Sequence, residues 1–175
     1  MNAIRTFKHF VRVPYAHTDQ MGFVYYANYL VYFEMARAEM LREVGLPYAE
    51  LEKQGLFLPV VEAHCEYKSP AHFDDRLEIL TQCQIQGVRL RVEYKVSRGG
   101  EGLAKPSETS PAAVKHLITK TEPAKEGELI VTGHTVHVCV SAALKIMRPP
   151  ACLQKLTGTA DHDSQPATFN AQRLN

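Results

Sequence analysis

Apolar residues recur with two different spacings, and the change between them divides the chain into one long helix and a series of strands. Residues 5–13 alternate, which predicts a strand that Pro14 ends. From Asn28, interpreted as the N-cap, apolar residues recur every three or four positions until Gly45, which predicts a helix. Its apolar stripe is broad, so we expect a helix buried on most sides; the stripe comprises Leu30, Val31, Phe33, Met35, Ala36, Met40, Leu41 and Val44.

Strand patterns dominate after a second short helix, predicted at Tyr48–Lys53. The run from Val88 to Val96 alternates cleanly between apolar and mostly charged residues, as a strand with one buried and one solvent-facing side does. The run Leu129–Val140 is apolar on both faces, so we expect a central strand. Three further strands are predicted, at 57–67, 77–85 and, as a short one, 144–147. Pro59 makes the start of the first an edge or a bend, and Gly87 makes a tight turn after the second.

The order of a strand, a long helix and then antiparallel strands predicts an α+β domain in which a sheet wraps around one central helix. The length of 175 residues suits one domain, which we assign to residues 1–150. Residues 100–127 are interpreted as an insertion in which 113–121 forms either an extra strand or a ribbon. Residues 151–175 are polar, so we expect a largely disordered tail with one turn of helix near Leu153–Leu156.

The charge balance argues against some classes of partner. The chain has 20 Lys and Arg and 19 Asp and Glu, for a formal net charge of +1, whereas nucleic-acid-binding domains usually carry a basic excess. We therefore expect no nucleic-acid partner. No apolar run approaches the roughly 20 residues that a membrane-spanning helix needs, and no apolar signal core follows Met1–Phe10. The sequence therefore predicts a cytoplasmic protein.

The cysteines and histidines do not form a recognisable metal-binding pattern. The four cysteines are far apart, which favours free thiols in a reducing compartment over a disulfide framework. His134 and His137 are three positions apart in a predicted strand, so they point to opposite faces and do not readily share one metal ion. We therefore expect no metal site.

The stretch from Tyr15 to Leu30 carries the candidate chemistry, in a loop that leads into the long helix. A helix N-terminus offers free backbone N–H groups and a partial positive charge, which polarise an acyl carbonyl placed there. Asp19 precedes that terminus and is able to attack the carbonyl or activate a water. Gly22 lets backbone and ligand approach closely. The alternative is that Asp19 only stabilises a turn, as loop aspartates usually do.

This stretch closely resembles the signature of a known enzyme family. Thr18–Leu30 is similar to the motif of the hot-dog fold acyl-CoA thioesterases, in the 4-hydroxybenzoyl-CoA thioesterase-like branch. Phe33–Arg37 resembles the continuation of that helix, Tyr67–Asp75 a second block of the family, and Gly133–Val140 its last core strand. The resemblance extends over residues 7–150, apart from the interpreted insertion.

The resemblance implies a hot-dog fold and a role for two residues. It identifies Asp19 as the nucleophile or general base, and the backbone N–H of Tyr26 as the group that polarises the carbonyl. It also implies a homodimer with shared sites, pairing of dimers into a homotetramer, and Lys and Arg side chains that hold the phosphates of coenzyme A. Two positions depart from the pattern: His17 replaces an acidic residue of many members, and Tyr26 replaces a His, which leaves only its backbone donor.

Several further residues are candidates for contact with an acyl-CoA substrate, and each also has a simpler interpretation. His17 is an exposed loop histidine, His64 suits a core or interface position, and basic side chains commonly face solvent on a sheet. Glu34 and Glu39 are interpreted as ordinary helix residues. The candidates are Tyr15, His17, Gly22, Tyr25, Tyr29 and His64 for substrate, and Arg89, Arg91 and Lys145 for coenzyme A.

The sequence thus predicts a thioesterase that hydrolyses acyl-CoA without a cofactor, because a thioester is already reactive. Three alternatives remain: an acyl carrier protein thioesterase, a hot-dog dehydratase, and an acyl-CoA-binding protein without catalytic activity. A dehydratase needs a well-placed His in an acid/base pair, which Tyr26 disfavours. The sequence does not identify the acyl group.

Overall fold

The computed structural model describes residues 4–99 and 127–157. Their elements in chain order are β1 (Thr6–Arg12), a 3₁₀ turn (Tyr15–His17), α1 (Asn28–Glu43), α2 (Tyr48–Lys53), β2 (Leu56–Phe57), β3 (Val60–Tyr67), β4 (Arg76–Gln86), β5 (Arg89–Arg98), β6 (Leu129–Val138), β7 (Val140–Ser141) and a 3₁₀ helix (Ala151–Leu156). The predicted extra strand at 113–121 lies outside the described residues.

The main sheet has five antiparallel strands in the order β1-β4-β5-β6-β3, and β2 pairs with β7 in a separate ribbon. Helix α1 packs across the inner face of the sheet, so the predicted α+β hot-dog architecture is confirmed. Strand β6 is flanked on both sides, as its two apolar faces indicate, although β5 is the middle strand. The strand predicted at 144–147 is wrong, because only Ile146 makes a single bridge there, to Val140.

One glycine allows α1 to lie close to the sheet. A Cβ atom on Gly133 of β6 would lie 2.3 Å from the carbonyl oxygen of His64 and 2.7 Å from the Phe33 ring. The Phe33 ring instead stacks on Tyr94 of β5, with ring centroids 4.2 Å apart and planes 3° from parallel. Because Gly133 has no side chain, α1 is able to cross the sheet close to this position.

The C-terminus of α1 is closed by a Schellman motif. Gly45 has a φ of +76°, its N–H donates to the Arg42 carbonyl at 2.9 Å, and the Leu46 N–H donates to the Leu41 carbonyl at 2.9 Å. The following Pro47 directs the chain into α2, whose predicted bounds are confirmed. The helix therefore ends where glycine permits a left-handed residue.

One face of α1 is not covered within this chain. The predicted positions Phe33, Ala36, Met40 and Leu41 are buried against the sheet. Leu30, Val31 and Met35 are 40%, 43% and 41% exposed, so burial on most sides is wrong for the single chain. The edge strand β3 is also exposed on both sides, including Val60 and Val61. Both α1 and β3 therefore expose apolar side chains that this chain does not cover.

A buried polar chain links α1 to the inner face of the sheet. Arg37 donates to the hydroxyls of Tyr48 at 2.6 Å and Tyr94 at 3.5 Å, and Tyr94 shares a hydrogen bond of 3.0 Å with Thr135. The Thr135 hydroxyl lies 2.9 Å from Nε2 of His137. Burial, and then the nearby Arg37 charge, lower the pKa of His137 to about 4, so this imidazole is neutral at pH 7.

The first residues of the predicted tail pack into the core. The 3₁₀ helix after Pro150 is the predicted helical turn, and its Leu153 and Leu156 are fully buried. Leu156 lines a small apolar cavity under the C-terminal half of α1, together with Met40 and Leu41. The packed unit therefore reaches Thr157, and residues 158–175 lie outside the described residues.

Candidate active site

The Asp19 loop is a closed turn held by its own backbone. Thr18 and Val24 form a β-bridge across its base. Inside the turn, the Asp19 N–H donates to the Phe23 carbonyl at 2.8 Å, and the Gly22 N–H donates to the Asp19 carbonyl at 2.9 Å. Gly22 has a φ of +82°, a conformation that other residues rarely adopt. Glycine is therefore required here by the turn itself.

The carboxylate of Asp19 has one fixed oxygen and one free oxygen. The Met21 N–H donates to Oδ1 at 2.8 Å, which fixes the orientation of the side chain. Within residues 4–99 and 127–157, no group hydrogen-bonds Oδ2. The side chain is half-buried. Its turn-stabilising role is therefore real, and it leaves one oxygen available to a reactant.

The N-terminus of α1 keeps free backbone donors. Asn28 does not cap the helix as predicted, because its side chain donates instead to the His17 carbonyl at 2.9 Å. The cap position is Ala27, which supplies no side-chain hydrogen bond. Across the described part of the chain, the Tyr26 N–H meets no acceptor. An uncapped helix start provides a partial positive charge for an acyl oxygen.

The five clustered tyrosines divide into two groups. Tyr15, Tyr25 and Tyr26 are 78%, 44% and 59% exposed, and the Tyr25 and Tyr26 rings lie 4.5 Å apart. Tyr29 and Tyr32 are buried beneath the loop. A hydrogen bond to Tyr26 raises the pKa of Tyr25, and burial raises the pKa of Tyr32 to about 12. The hydroxyls of Tyr25 and Tyr32 therefore remain protonated at neutral pH.

His17 is held against the helix and is not a free loop side chain. Its Nδ1 lies 3.0 Å from the Tyr32 hydroxyl, and its ring is half-buried. Its carbonyl accepts the Tyr25 N–H at 2.9 Å. His17 thus connects the loop to α1, on the same turn as Asp19.

His64 lies on the exposed edge strand, which excludes the core position considered for it. Its ring stacks on His134 with centroids 5.2 Å apart, and Nε2 lies 3.4 Å from Glu66. His134 binds Glu62 at 2.7 Å, which lowers the pKa of that carboxyl. His137 points inward instead, so the predicted separation of His134 and His137 is confirmed.

The predicted coenzyme A residues are not brought to Asp19 within one chain. Arg89 and Arg91 begin β5, opposite the end of β4, and Lys145 follows β7 at the same end. The Asp19 loop contacts the turn that starts β4. Eleven residues of β4 separate these ends, about 33 Å at the strand rise. Arg91 is also paired with Glu93 at 2.6 Å.

The turn predicted at 69–75 lies between β3 and β4, but sequence reasoning did not assign it a place at the site. The Tyr67 hydroxyl donates to the Tyr26 carbonyl at 3.2 Å, and Phe23 forms a β-bridge with His72. The turn is fixed by Arg98, which is 7% exposed and binds Asp75. One signal was available, because Arg98 continues the inward-facing positions of β5 and a charge there predicts a buried partner.

Two further features bear on the chemistry. In residues 4–99 and 127–157, no group of three or more His, Cys, Asp or Glu side chains is placed to hold a metal ion. Within the same ranges, no helix is long and apolar enough to cross a membrane. Glu34 is exposed and Glu39 pairs with Arg42 on the surface of α1, so both fit the interpretation as ordinary helix residues.

Comparison with protein families gives a match over most of the chain. The description "Thioesterase-like superfamily" applies to residues 13–157. The chain therefore belongs to this superfamily, and its resemblance to the hot-dog thioesterases is confirmed.

Individual relatives agree with this assignment. The chain is 42% identical over 71 residues to a putative acyl-CoA thioesterase, YneP, of Bacillus subtilis, covering 41% of this chain and 51% of the relative. It is 33% identical over 111 residues to the acyl-CoA thioester hydrolase YbgC of Escherichia coli, covering 63% and 83%. The matched stretch spans about half the length of the first of these relatives.

A solved structure shares the same fold. The hypothetical protein TT1821 of Thermus thermophilus superposes with a TM-score of 0.66 and 30% identity, covering 86% of this chain and 98% of that chain. The overall fold is therefore common to both proteins.

Proposed function

We propose that this protein hydrolyses the thioester of an acyl-CoA to a free acid and coenzyme A. The observation that carries the proposal is that one loop holds both a carboxylate oxygen without a hydrogen-bond partner, Oδ2 of Asp19, and a backbone N–H without an acceptor, that of Tyr26. A carboxylate and a backbone donor are the two groups that acyl transfer to water requires. The names of the YneP and YbgC relatives support the same activity.

The proposed mechanism places the acyl carbonyl at the start of α1. The Tyr26 N–H and the helix dipole stabilise the negative charge that develops on the carbonyl oxygen. Asp19 acts in one of two ways. As nucleophile, it forms an acyl anhydride and expels the thiolate of coenzyme A, and water then hydrolyses the anhydride. As general base, it takes a proton from a water that attacks the carbonyl directly, and the tetrahedral intermediate then breaks its C–S bond and expels the thiolate.

Neither version uses a metal ion or redox cofactor, and we propose that the enzyme needs none. The thiolate is a good leaving group, so the reaction requires only attack and charge stabilisation.

We also propose that the active enzyme is a homodimer whose copies cover each other's β3 and α1 surfaces, and that dimers pair into a tetramer. The exposed edge strand offers unpaired backbone groups, and Leu30, Val31 and Met35 offer apolar area beside it. The Tyr67 hydroxyl, at the end of β3, also donates to the carbonyl of Tyr26, whose ring is exposed. A second copy would also bring its own Arg89, Arg91 and Lys145 as candidates for the coenzyme A phosphates.

We propose a cytoplasmic location, which suits the state of the thiols. All four cysteines are free, and Cys83 and Cys139 are buried. Burial raises the pKa of Cys139 to about 11, so this thiol is unreactive at neutral pH.

The proposal is tested by thiol release from aromatic, short-chain and long-chain acyl-CoAs, each compared with the same acyl group on an acyl carrier protein. We expect turnover with at least one acyl-CoA. Faster turnover of the acyl carrier protein substrates would mean that the natural substrate carries its acyl group on that protein and not on coenzyme A. Binding without thiol release for every acyl group would overturn the enzymatic proposal.

A further inference from the structure

A buried arginine lies where the catalytic end of the sheet meets the turn between β3 and β4. Arg98 is the last residue of β5, at an inward-facing position, and its side chain is 8% exposed. Its guanidinium donates to Asp75, to the Pro70 carbonyl at 2.6 Å and to Glu128 at 3.2 Å. The planar guanidinium thus meets two carboxylates and one backbone oxygen in different directions.

Asp75 transmits this contact into the turn. Its Oδ2 binds Arg98 and also accepts the His72 N–H at 2.7 Å. The Asp75 side chain is itself only 16% exposed. Residues 70–75 are therefore held at both ends, by the Pro70 carbonyl and by the Asp75 carboxylate.

The same turn holds the catalytic loop from outside. The Ala71 carbonyl accepts the Val24 N–H at 2.8 Å, and His72 forms a β-bridge with Phe23. The His72 ring also packs edge-on against Phe23, with centroids 5.2 Å apart. The Phe23 carbonyl in turn accepts the N–H of Asp19. Continuous contacts thus lead from Arg98 to the backbone of Asp19.

We propose that Arg98 and Asp75 are positioning residues that set the place of Asp19 and of the α1 N-terminus, although neither contributes a reacting group. This inference rests on the proposed function. Val24 and Tyr29 lie on either side of Tyr26, and both bind Ala71 through hydrogen bonds. One ion pair therefore fixes the carboxylate and the carbonyl-polarising amide relative to each other, and small errors in such geometry are costly to rate.

The neighbouring carboxylate provides a matched control. Asp74 forms an ion pair with Arg12 at 2.7 Å, and these side chains are 43% and 33% exposed. Asp74 has a φ of +65°, which asparagine also tolerates. Its contacts lead to β1 and not to the catalytic loop. Asp74→Asn thus removes a charge from the same turn without touching the buried pair.

The experiment compares Asp75→Asn and Asp74→Asn in the full chain, with Arg98→Lys as a milder variant that keeps the charge. Thiol release gives kcat and KM, with enzyme concentration corrected by the stoichiometry of coenzyme A binding. Hydrogen exchange reports the amides of the 18–24 loop separately from those of β4, β5 and β6.

We expect kcat to fall about tenfold or more in Asp75→Asn and by a smaller factor in Arg98→Lys, with KM within about twofold. The loop amides exchange faster while the sheet amides keep their protection. Asp74→Asn stays near wild type in both measurements. In the double variant of Asp75→Asn and Arg98→Lys, the loss of kcat is smaller than the product of the two single losses, because both substitutions weaken the same ion pair.

Three results would overturn the inference. Wild-type kcat per binding site in Asp75→Asn excludes a positioning role, and uniformly faster exchange of loop and sheet shows general destabilisation. An equal loss in Asp74→Asn shows a nonspecific charge effect. An inactive wild type contradicts the proposed function alone, and the exchange comparison then decides whether the ion pair holds the loop.

Discussion

The two ends of the five-stranded sheet differ in how completely their polar and apolar groups are paired. At the end where β4 begins, Asp19 keeps a free oxygen and Tyr26 a free N–H, next to the exposed ring of Tyr25. At the end where β4 runs into the Gly87 turn, the inward side chains are packed or paired, because Leu90 and Leu156 are fully buried and His137, opposite Leu90, is hydrogen-bonded through both ring nitrogens. Unpaired groups in a fixed setting cost stability and are characteristic of sites that act on a ligand.

The same difference separates two buried arginines. Arg98 has carboxylate partners and holds a turn against the catalytic loop. Arg37 belongs to α1 itself and binds the hydroxyls of Tyr48 and Tyr94. Because its partners are neutral hydroxyls, the Arg37 guanidinium fixes α1 on the sheet without bringing a carboxylate to that position. We therefore expect changes near Arg98 to affect turnover, and changes near Arg37 to affect folding.

The largest effect is expected for Asp19→Asn, which removes the charge and keeps the size of the side chain. We expect kcat to fall by about 10³-fold, within the range for loss of a general base. The asparagine oxygen still accepts the Met21 N–H, so the melting temperature should stay close to that of wild type. Gln20→Ala, at the exposed neighbouring position, serves as the control.

Leu156→Ala tests the opposite end of the sheet. Leu156 is fully buried beside an existing cavity, so the lost contacts and added empty space should lower the free energy of unfolding by about 2–5 kcal/mol. Turnover at a temperature well below the melting transition should remain within about twofold of wild type. Lys155→Ala, whose side chain is exposed, should leave both quantities unchanged. Urea unfolding gives the first quantity and thiol release the second.

Acid should destabilise the protein through His137. Its folded pKa of about 4 lies below the unfolded value of about 6.5, so the unfolded state binds more protons between these pH values. The contribution of His137 to the free energy of unfolding is therefore fully present above about pH 6.5. It decreases as the pH falls, by about 2 kcal/mol at pH 5.

The measurement is the free energy of unfolding at pH 7 and at pH 5, in wild type and in His137→Gln. Burial also lowers the pKa of His9, so some pH dependence should persist in the variant. An identical slope in both proteins would mean that His137 does not titrate as described.

The smallest effect is expected at the basic side chains of the far end. If a second copy brings Arg89 to the coenzyme A phosphates, Arg89→Gln should raise KM for acyl-CoA about threefold and leave kcat unchanged, with a smaller effect at high salt. Arg148→Gln, also exposed at that end, is the comparison. Equal KM values for Arg89→Gln and wild type would show that Arg89, at the far end of the sheet, does not contribute to substrate binding.

The sequence predicted most elements because their signals are local. The alternation in β5 and the helical period of α1 each follow from a repeating backbone geometry, and Gly45 marks a helix end by its allowed φ. Asp19 and Gly22 were found because they lie on one continuous motif.

The remainder depends on contacts between distant segments. Asn28 was assigned to the helix cap because its residue type suits one, but His17 offers a competing carbonyl. Arg98 and Asp75 are 23 positions apart, and only the pairing of β4 with β5 brings them together. The exposed apolar face of α1 depends on what covers it, which the pattern of one chain does not contain.

The central claim is that activity belongs to the end of the sheet with unpaired groups and is separable from folding stability. The most direct test is kcat of Asp19→Asn at a temperature at which it and Leu156→Ala are both fully folded. The account predicts a loss of about three orders of magnitude for Asp19→Asn, against near wild-type turnover for Leu156→Ala. Comparable turnover in the two variants would contradict it.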